Sequence, residues 1–94
     1  MAEFDTYPVG KESGLGKEIA GVKKIIEASG LDHRLTAMGT IIEGEWDEVM
    51  EVIKECHNFL RQDYARVETH IKIDDHGGQA NRIQGKVRSV KEHL

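Results

Sequence analysis

Polar and apolar residues alternate along this chain in two rhythms. Over residues 2–7 the rhythm is two: Ala2, Phe4 and Thr6 fall on one side, Glu3, Asp5 and Tyr7 on the other. That is the signature of a half-buried strand, and Pro8 ends it because proline cannot donate to a ladder. The rhythm then changes. Leu15, Ile19, Val22, Ile25 and Ile26 recur at steps of three and four, which sets them on one face of a helix. Ser13 or a neighbour is the expected N-cap. Gly30 stands where a helix end favours a left-handed residue.

Two short strand-like runs follow, "HRLTAM" and "TIIEGE", hinged at Gly39. Next comes "EWDEVMEVIKECHNFLRQDY". Trp46, Val49, Met50, Ile53, Cys56, Phe59 and Leu60 make one apolar stripe, and Asp47, Glu48, Glu51 and Glu55 face away. Asp47 and Glu48 also suit the positive end of the helix dipole. "RVETHIKID" returns to period two, with Val67, Thr69, Ile71 and Ile73 on one side. After a turn at "DDHGGQ", Ala80, Ile83, Val87, Val90 and Leu94 mark a third amphipathic helix, weakened by Gly85.

Strand, helix, strand, strand, helix, strand is the order of a split βαβ arrangement. The expected fold is therefore α+β: a ferredoxin-like β-α-β-β-α-β two-layer sandwich with an additional C-terminal helix. Two helices cover one face of a four-stranded antiparallel sheet. The other face receives Glu3, Asp5, Tyr7, Thr36, Met38, His70, Lys72 and Asp74. Ile41 and Ile42 are both apolar, so alternation does not fix the sides taken by Thr40 and Glu43. A face of mixed charge is ordinary on an antiparallel sheet. It also becomes a pocket if a second subunit's sheet closes over it.

Composition narrows the function. Ninety-four residues are expected to form one domain spanning 1–94. So small a domain leaves much surface uncovered, which favours a homo-oligomer. The net charge of −4, with no basic block, argues against a nucleic-acid partner. No run approaches a membrane span. The start "MAEFDTYPVG" lacks the basic and apolar regions of a signal peptide. With a single cysteine, no intrachain disulfide forms. A cytoplasmic location is expected.

Catalytic and metal motifs are weak. Cys56 and His57 point about 100° apart on a helix, which makes one shared ion difficult, and no Cys-x-x-Cys or His-x-x-x-His spacing builds a zinc site. Cys56 reads as a small core residue. His76 reads as part of a solvated turn. Gly10, Gly14 and Gly16 in "GKESGLG" form neither a P-loop nor a dinucleotide fingerprint, although Lys11 and Ser13 there could help a helix N-terminus hold an anion. No metal site, catalytic set or cofactor is expected.

The strings "YPVG", "MGTIIEG" and "IKIDD", in this order within "EFDTYPVG", "LTAMGTIIEGEWDEVMEVIKECH" and "RVETHIKIDDHGG", with "KVRSVKEHL" at the end, resemble the small thiamine-binding proteins over nearly the whole chain. The resemblance implies a ferredoxin-like fold, dimers that pair into tetramers, and binding of thiamine or its pyrimidine part without chemistry. Matching the motifs singles out Tyr7, the stretch Thr36 to Thr40 with Glu43, and Lys72.

Chemically, Glu3, Asp5 and Glu43 suit the cationic thiazolium. Thr36 and Thr40 suit the pyrimidine edge, beside Gly39. Tyr7 or Met38 offers a contact surface. Lys72 would repel the cation and is better placed to pair with Glu3 or Asp5. Two other readings compete: a regulatory or assembly module sensing another small ligand at an oligomer interface, and a thiol enzyme using Cys56 with His57 or His70.

Overall fold

The structure is a computed structural model and describes residues 1–10 and 14–76. Its elements are β1 (Ala2–Pro8), α1 (Gly16–Ala28), β2 (Asp32–Thr36), β3 (Gly39–Glu43), α2 (Trp46–Arg61) and β4 (Val67–Ile73). The four strands form one sheet in the order β2-β3-β1-β4, and every neighbouring pair is antiparallel. This is the ferredoxin-like β-α-β-β-α-β topology. The expected third helix, the turn at Gly77-Gly78, Lys11 and Ser13 lie outside the described residues.

Strand parity decides what the sheet offers to each layer. Ala2, Phe4 and Pro8 are buried toward the helices, while Glu3 and Tyr7 point the other way. Ile42 sits opposite Ala2, and Thr40 opposite Phe4. Paired residues share a face, so Thr40 and Ile42 belong to the helix side, and Ile41 and Glu43 to the open side. The core is Ala2, Phe4 and Ile42 from the sheet, Ile26 from α1, and Val49, Val52, Ile53 and Cys56 from α2.

Local chemistry sets the boundaries. α1 ends at Ser29, whose hydroxyl donates to the Ile26 carbonyl at 2.5 Å. Gly30 follows at φ 73°, a left-handed angle that glycine adopts without a Cβ clash. At the other end Leu15 occupies the N-cap with no side-chain bond. α2 begins with Glu48 reaching back to the Glu45 N–H at 3.4 Å, one half of a capping box.

Two expectations change. The β2–β3 hairpin turns at Ala37-Met38, one step before Gly39, so Met38 belongs to the turn and not to a strand. The Thr36 hydroxyl fastens this turn: it donates to the Gly39 carbonyl at 3.0 Å and accepts from the Met38 N–H at 3.2 Å. Trp46 is 55% exposed at the start of α2 and does not anchor the core; Val52 takes a core position instead.

Ile26 ties α1 to the sheet core, and α1 packs closely on α2. One physical reason lies at Gly21. A Cβ there would fall 2.2 Å from the Phe59 ring, so the missing side chain lets the helices approach each other. Between α1 and the sheet lies a cleft.

Candidate functional site

A cleft of about 570 Å³ opens between the N-terminal half of α1 and the sheet. Small-molecule sites fall in the range of roughly 300–1,000 Å³. Leu15, Ile19, Val22 and Ile26 roof it; Phe4 and Leu60 form part of its floor. Its lip is apolar and wet: Ile19 is 57% exposed, Leu35 59% and Met38 81%. Exposed apolar side chains gathered around one concavity mark a binding surface better than scattered ones do.

Several polar groups line it, and most of them are hydrogen-bonded. Glu18 projects from the first turn of α1 and is only 8% exposed. Its carboxylate accepts a hydrogen bond from the Tyr64 hydroxyl, and the helix N-terminus favours its negative charge. Thr40 on β3 is 7% exposed and turns its side chain to the cleft. Thr6 lies between them on β1. Its hydroxyl is 2.6 Å from that of Thr69, which in turn lies 2.7 Å from His57 Nδ1. This chain ties the cleft floor to α2. His33 lines the β2 side, with its Nδ1 2.9 Å from the Leu31 carbonyl. A carbonyl only accepts, so Nδ1 carries the proton and Nε2 is the acceptor of the neutral ring.

The cleft lies on the helix side of the sheet, and not on the open face to which alternation pointed. Asp5, Tyr7, Thr36, Met38, Gly39 and Thr40 all contribute to its walls. Asp5 and Tyr7 reach it because β1 runs past the end of the β2–β3 hairpin. Glu3 and Glu43 do not line it. Glu3 sits opposite Lys72 on the open face, without an ion pair between them, and Glu43 sits opposite Asp32. Thr36 has its hydroxyl committed to the turn.

Glu18 is not among the residues that the sequence pattern singles out, although it carries a signal. It stands three residues after Leu15 and four before Val22, so it interrupts the apolar stripe of α1 with a carboxylate. Thr6 likewise stands out in the sequence only as a residue on the same side of its strand as Ala2 and Phe4.

The open face carries a second cluster. Asp5 and His70 are bonded across the β1–β4 pair, and the Tyr7 hydroxyl donates to Glu68. That bond, with the nearby carboxylate charges, pushes the Tyr7 phenol above its ordinary value. The groups are exposed and partner one another.

Cys56 is fully buried, and its sulfur lies 3.9 Å from the Val22 carbonyl. Burial pushes the thiol up to about 12, with the charge of Glu55 adding to it. A nucleophilic cysteine needs a depressed value. His57 is engaged with Thr69, and His70 with Asp5. Among the described residues no group of three or more His, Cys, Asp or Glu is placed to hold a metal, and no helix is long and apolar enough to cross a membrane.

The fold has counterparts in known proteins. The UPF0045 protein MJ1052 of Methanocaldococcus jannaschii is 30% identical over 92 residues, covering 98% of this chain and 92% of that one. Its crystal structure superposes with a TM-score of 0.87 and 31% identity, over 97% of this chain and 94% of that chain. The Bacillus subtilis UPF0045 protein YqgV is 34% identical over 100 residues, covering all of this chain and 96% of that one. A Thermotoga maritima structure, whose proposed role is thiamine biosynthesis or salvage, matches at 25% identity and a TM-score of 0.81, over 95% of each chain. Residues 2–91 match the sequence pattern of the family described as thiamine-binding protein, and the chain belongs to that family.

Proposed function

We propose that this protein binds thiamine, or its aminopyrimidine part, in the cleft beneath α1 and performs no chemistry on it. The observation that carries this reading is the buried carboxylate of Glu18 in a cleft whose walls are mainly apolar, with Lys23, the only cationic side chain besides His33 to line it among the described residues, exposed and turned to Glu27. A cationic ligand gains there from a negative charge that water screens little. A flat ring gains from the aliphatic walls, while Thr40, Thr6 and His33 Nε2 offer hydrogen bonds to its edge. Asp5, Tyr7, Thr36, Met38 and Gly39 form the mouth. Glu3 and Glu43, on the open face, act at most through long-range charge.

The same Glu18 disfavours an anionic ligand, which narrows the alternative of a module sensing another small ligand to neutral or cationic ones. The buried thiol weighs against a cysteine enzyme. Carriage, salvage or homeostasis of the vitamin in the cytoplasm, by a dimer or dimer of dimers, completes the reading; sedimentation velocity tests the assembly. The binding itself is tested by isothermal titration with thiamine, its diphosphate and free 4-amino-5-hydroxymethyl-2-methylpyrimidine. Saturable heat with whole-number stoichiometry is expected for thiamine. Silence from all three ligands removes the reading.

A further inference from the structure

β1 has a gap in its hydrogen-bond ladder, and the gap faces the cleft. On the β4 side the ladder is continuous. The Asp74 N–H donates to the Met1 carbonyl at 2.8 Å, and the Val9 N–H to the Arg66 carbonyl at 2.9 Å. The register between these bonds is unbroken from Ala2↔Ile73 to Pro8↔Val67. In an antiparallel pair the bonded positions alternate. The odd residues of β1 therefore bond to β4, and Ala2, Phe4, Thr6 and Pro8 turn their backbone groups toward β3.

β3 answers only the first two. Its register runs Ala2↔Ile42 and Phe4↔Thr40, and then the hairpin turns away at Ala37-Met38. Pro8 lacks an N–H and leaves no donor unanswered. Thr6 is different. Its N–H and C=O both point at the place where Met38 would have continued the strand, and neither has a backbone partner among the described residues.

That place is the cleft. Asp5, Thr6, Tyr7 and Pro8 all line it. Consecutive residues of a strand point to opposite faces, so a cavity touches all four only by running along the strand's edge. Thr6 is half-buried, and its unmatched N–H and C=O lie at the edge of the cleft, where a ligand can take the place of the missing strand.

We propose that the Thr6 main chain reads its ligand as a surrogate strand residue: the N–H donates to a ring nitrogen, and the C=O accepts from the adjacent exocyclic amine. The ligand class is a flat amino-azine with acceptor and donor side by side, as in a 4-aminopyrimidine. This rests on the reading that the cleft holds such a ring, and it adds the group that selects it. An edge reading of this kind needs no particular side chain at position 6.

The test uses the full chain, labelled with ¹⁵N, and free 4-amino-5-hydroxymethyl-2-methylpyrimidine as the probe. The Thr6 amide proton should move downfield and exchange more slowly with solvent as the probe saturates. The desamino analogue, which loses the donor, should bind at least about tenfold more weakly. Thr6→Pro removes the N–H without breaking a ladder bond, and should weaken the probe to a similar extent. Its melting curve shows whether it folds, and if it does not, the amide shift in the wild-type chain decides. Probe binding that moves the Val22 and Ile26 methyl signals but leaves the Thr6 amide unchanged overturns this inference and spares the function. Failure of the probe and of thiamine to perturb any cleft signal overturns both.

Discussion

Asp5 Oδ1 lies 2.8 Å from His70 Nδ1, directly across the β1–β4 pair. The Tyr7 ring stacks over the same imidazole, with centroids 6.0 Å apart and planes at 24°. The hydrogen bond to Asp5 raises the His70 value most, the charge of Asp5 adds to it, slight desolvation opposes it, and Glu68 contributes last. The fold therefore favours the protonated ring. That contribution is complete below the unfolded value, near ~6.5, and fades as pH rises through the higher folded value. Proton NMR should place His70 above the ordinary histidine value, and Asp5→Asn should bring it down. The unfolding midpoint should fall less steeply from about pH 6 to pH 8 in that variant. An imidazole titration indifferent to the substitution would show that the pair does not form in solution.

Glu18→Gln separates charge from shape in the cleft. The amide keeps the volume and can still accept from Tyr64, but it no longer offers a negative charge to a cation. Thiamine affinity should fall by about tenfold or more, equivalent to ~1.4 kcal/mol or above. The neutral pyrimidine should lose no more than about threefold. Titration calorimetry with both ligands decides it. Equal losses for the two would mean that Glu18 only holds α1 in place through Tyr64.

Gly39 is the point where the hairpin meets β1. A Cβ built there lies 2.5 Å from the Phe4 carbonyl oxygen and 3.6 Å from the Asp5 Cβ. A backbone atom cannot yield as a flexible side chain does, so the strands must part. Gly39→Ala should cost roughly 1–3 kcal/mol, as overpacking does, and should distort the cleft mouth. Urea unfolding measures the first effect and ligand affinity the second. Wild-type stability in the variant would mean that the close approach of the strands is absent in solution.

Gly21→Ala tests the close packing of the helices with the opposite expectation. The added methyl meets the tip of the Phe59 ring, which is half-buried and free to swing away. Alanine gains about 1 kcal/mol of helix propensity over glycine, which offsets the cost of moving the ring. The net change in unfolding free energy should stay within about 1 kcal/mol. A loss of several kcal/mol would place Phe59 in a rigid socket.

The fold was legible because its signals are local and repeated. Ala2 and Phe4 alternate with Glu3 and Asp5; Val49, Ile53, Cys56 and Leu60 recur at helical steps; and Gly30 closes α1 where a left-handed angle is needed. The cleft was less legible because it depends on a distance between layers. Nothing in the apolar stripe of α1 states how closely the helix approaches α2, since that depends on the missing side chain at Gly21. The side taken by Thr40 is fixed by its pairing with Phe4, a long-range register that alternation within "GTIIE" does not contain. Glu18 was visible as an acid inside an apolar stripe, but only burial distinguishes such a residue from an ordinary first-turn carboxylate.

Cys56 separates a binder from a thiol enzyme. Its side chain is enclosed by the core of α1, α2 and the sheet, and its thiol is pushed up to about 12 by burial, with Glu55 adding to the shift. Nucleophilic reaction requires the thiolate, so the folded chain should resist a disulfide reagent at pH 8 and react fully in denaturant. Labelling should proceed only as fast as the core opens, and its rate should rise with any destabilising substitution. Cys56→Ala removes one sulfur from a packed site and should cost about 1–2 kcal/mol of stability. It should leave thiamine affinity unchanged, because the residue does not line the cleft. Prompt stoichiometric labelling of the native protein, or loss of binding in a well-folded Cys56→Ala chain, would move the chemistry from the cleft to the thiol.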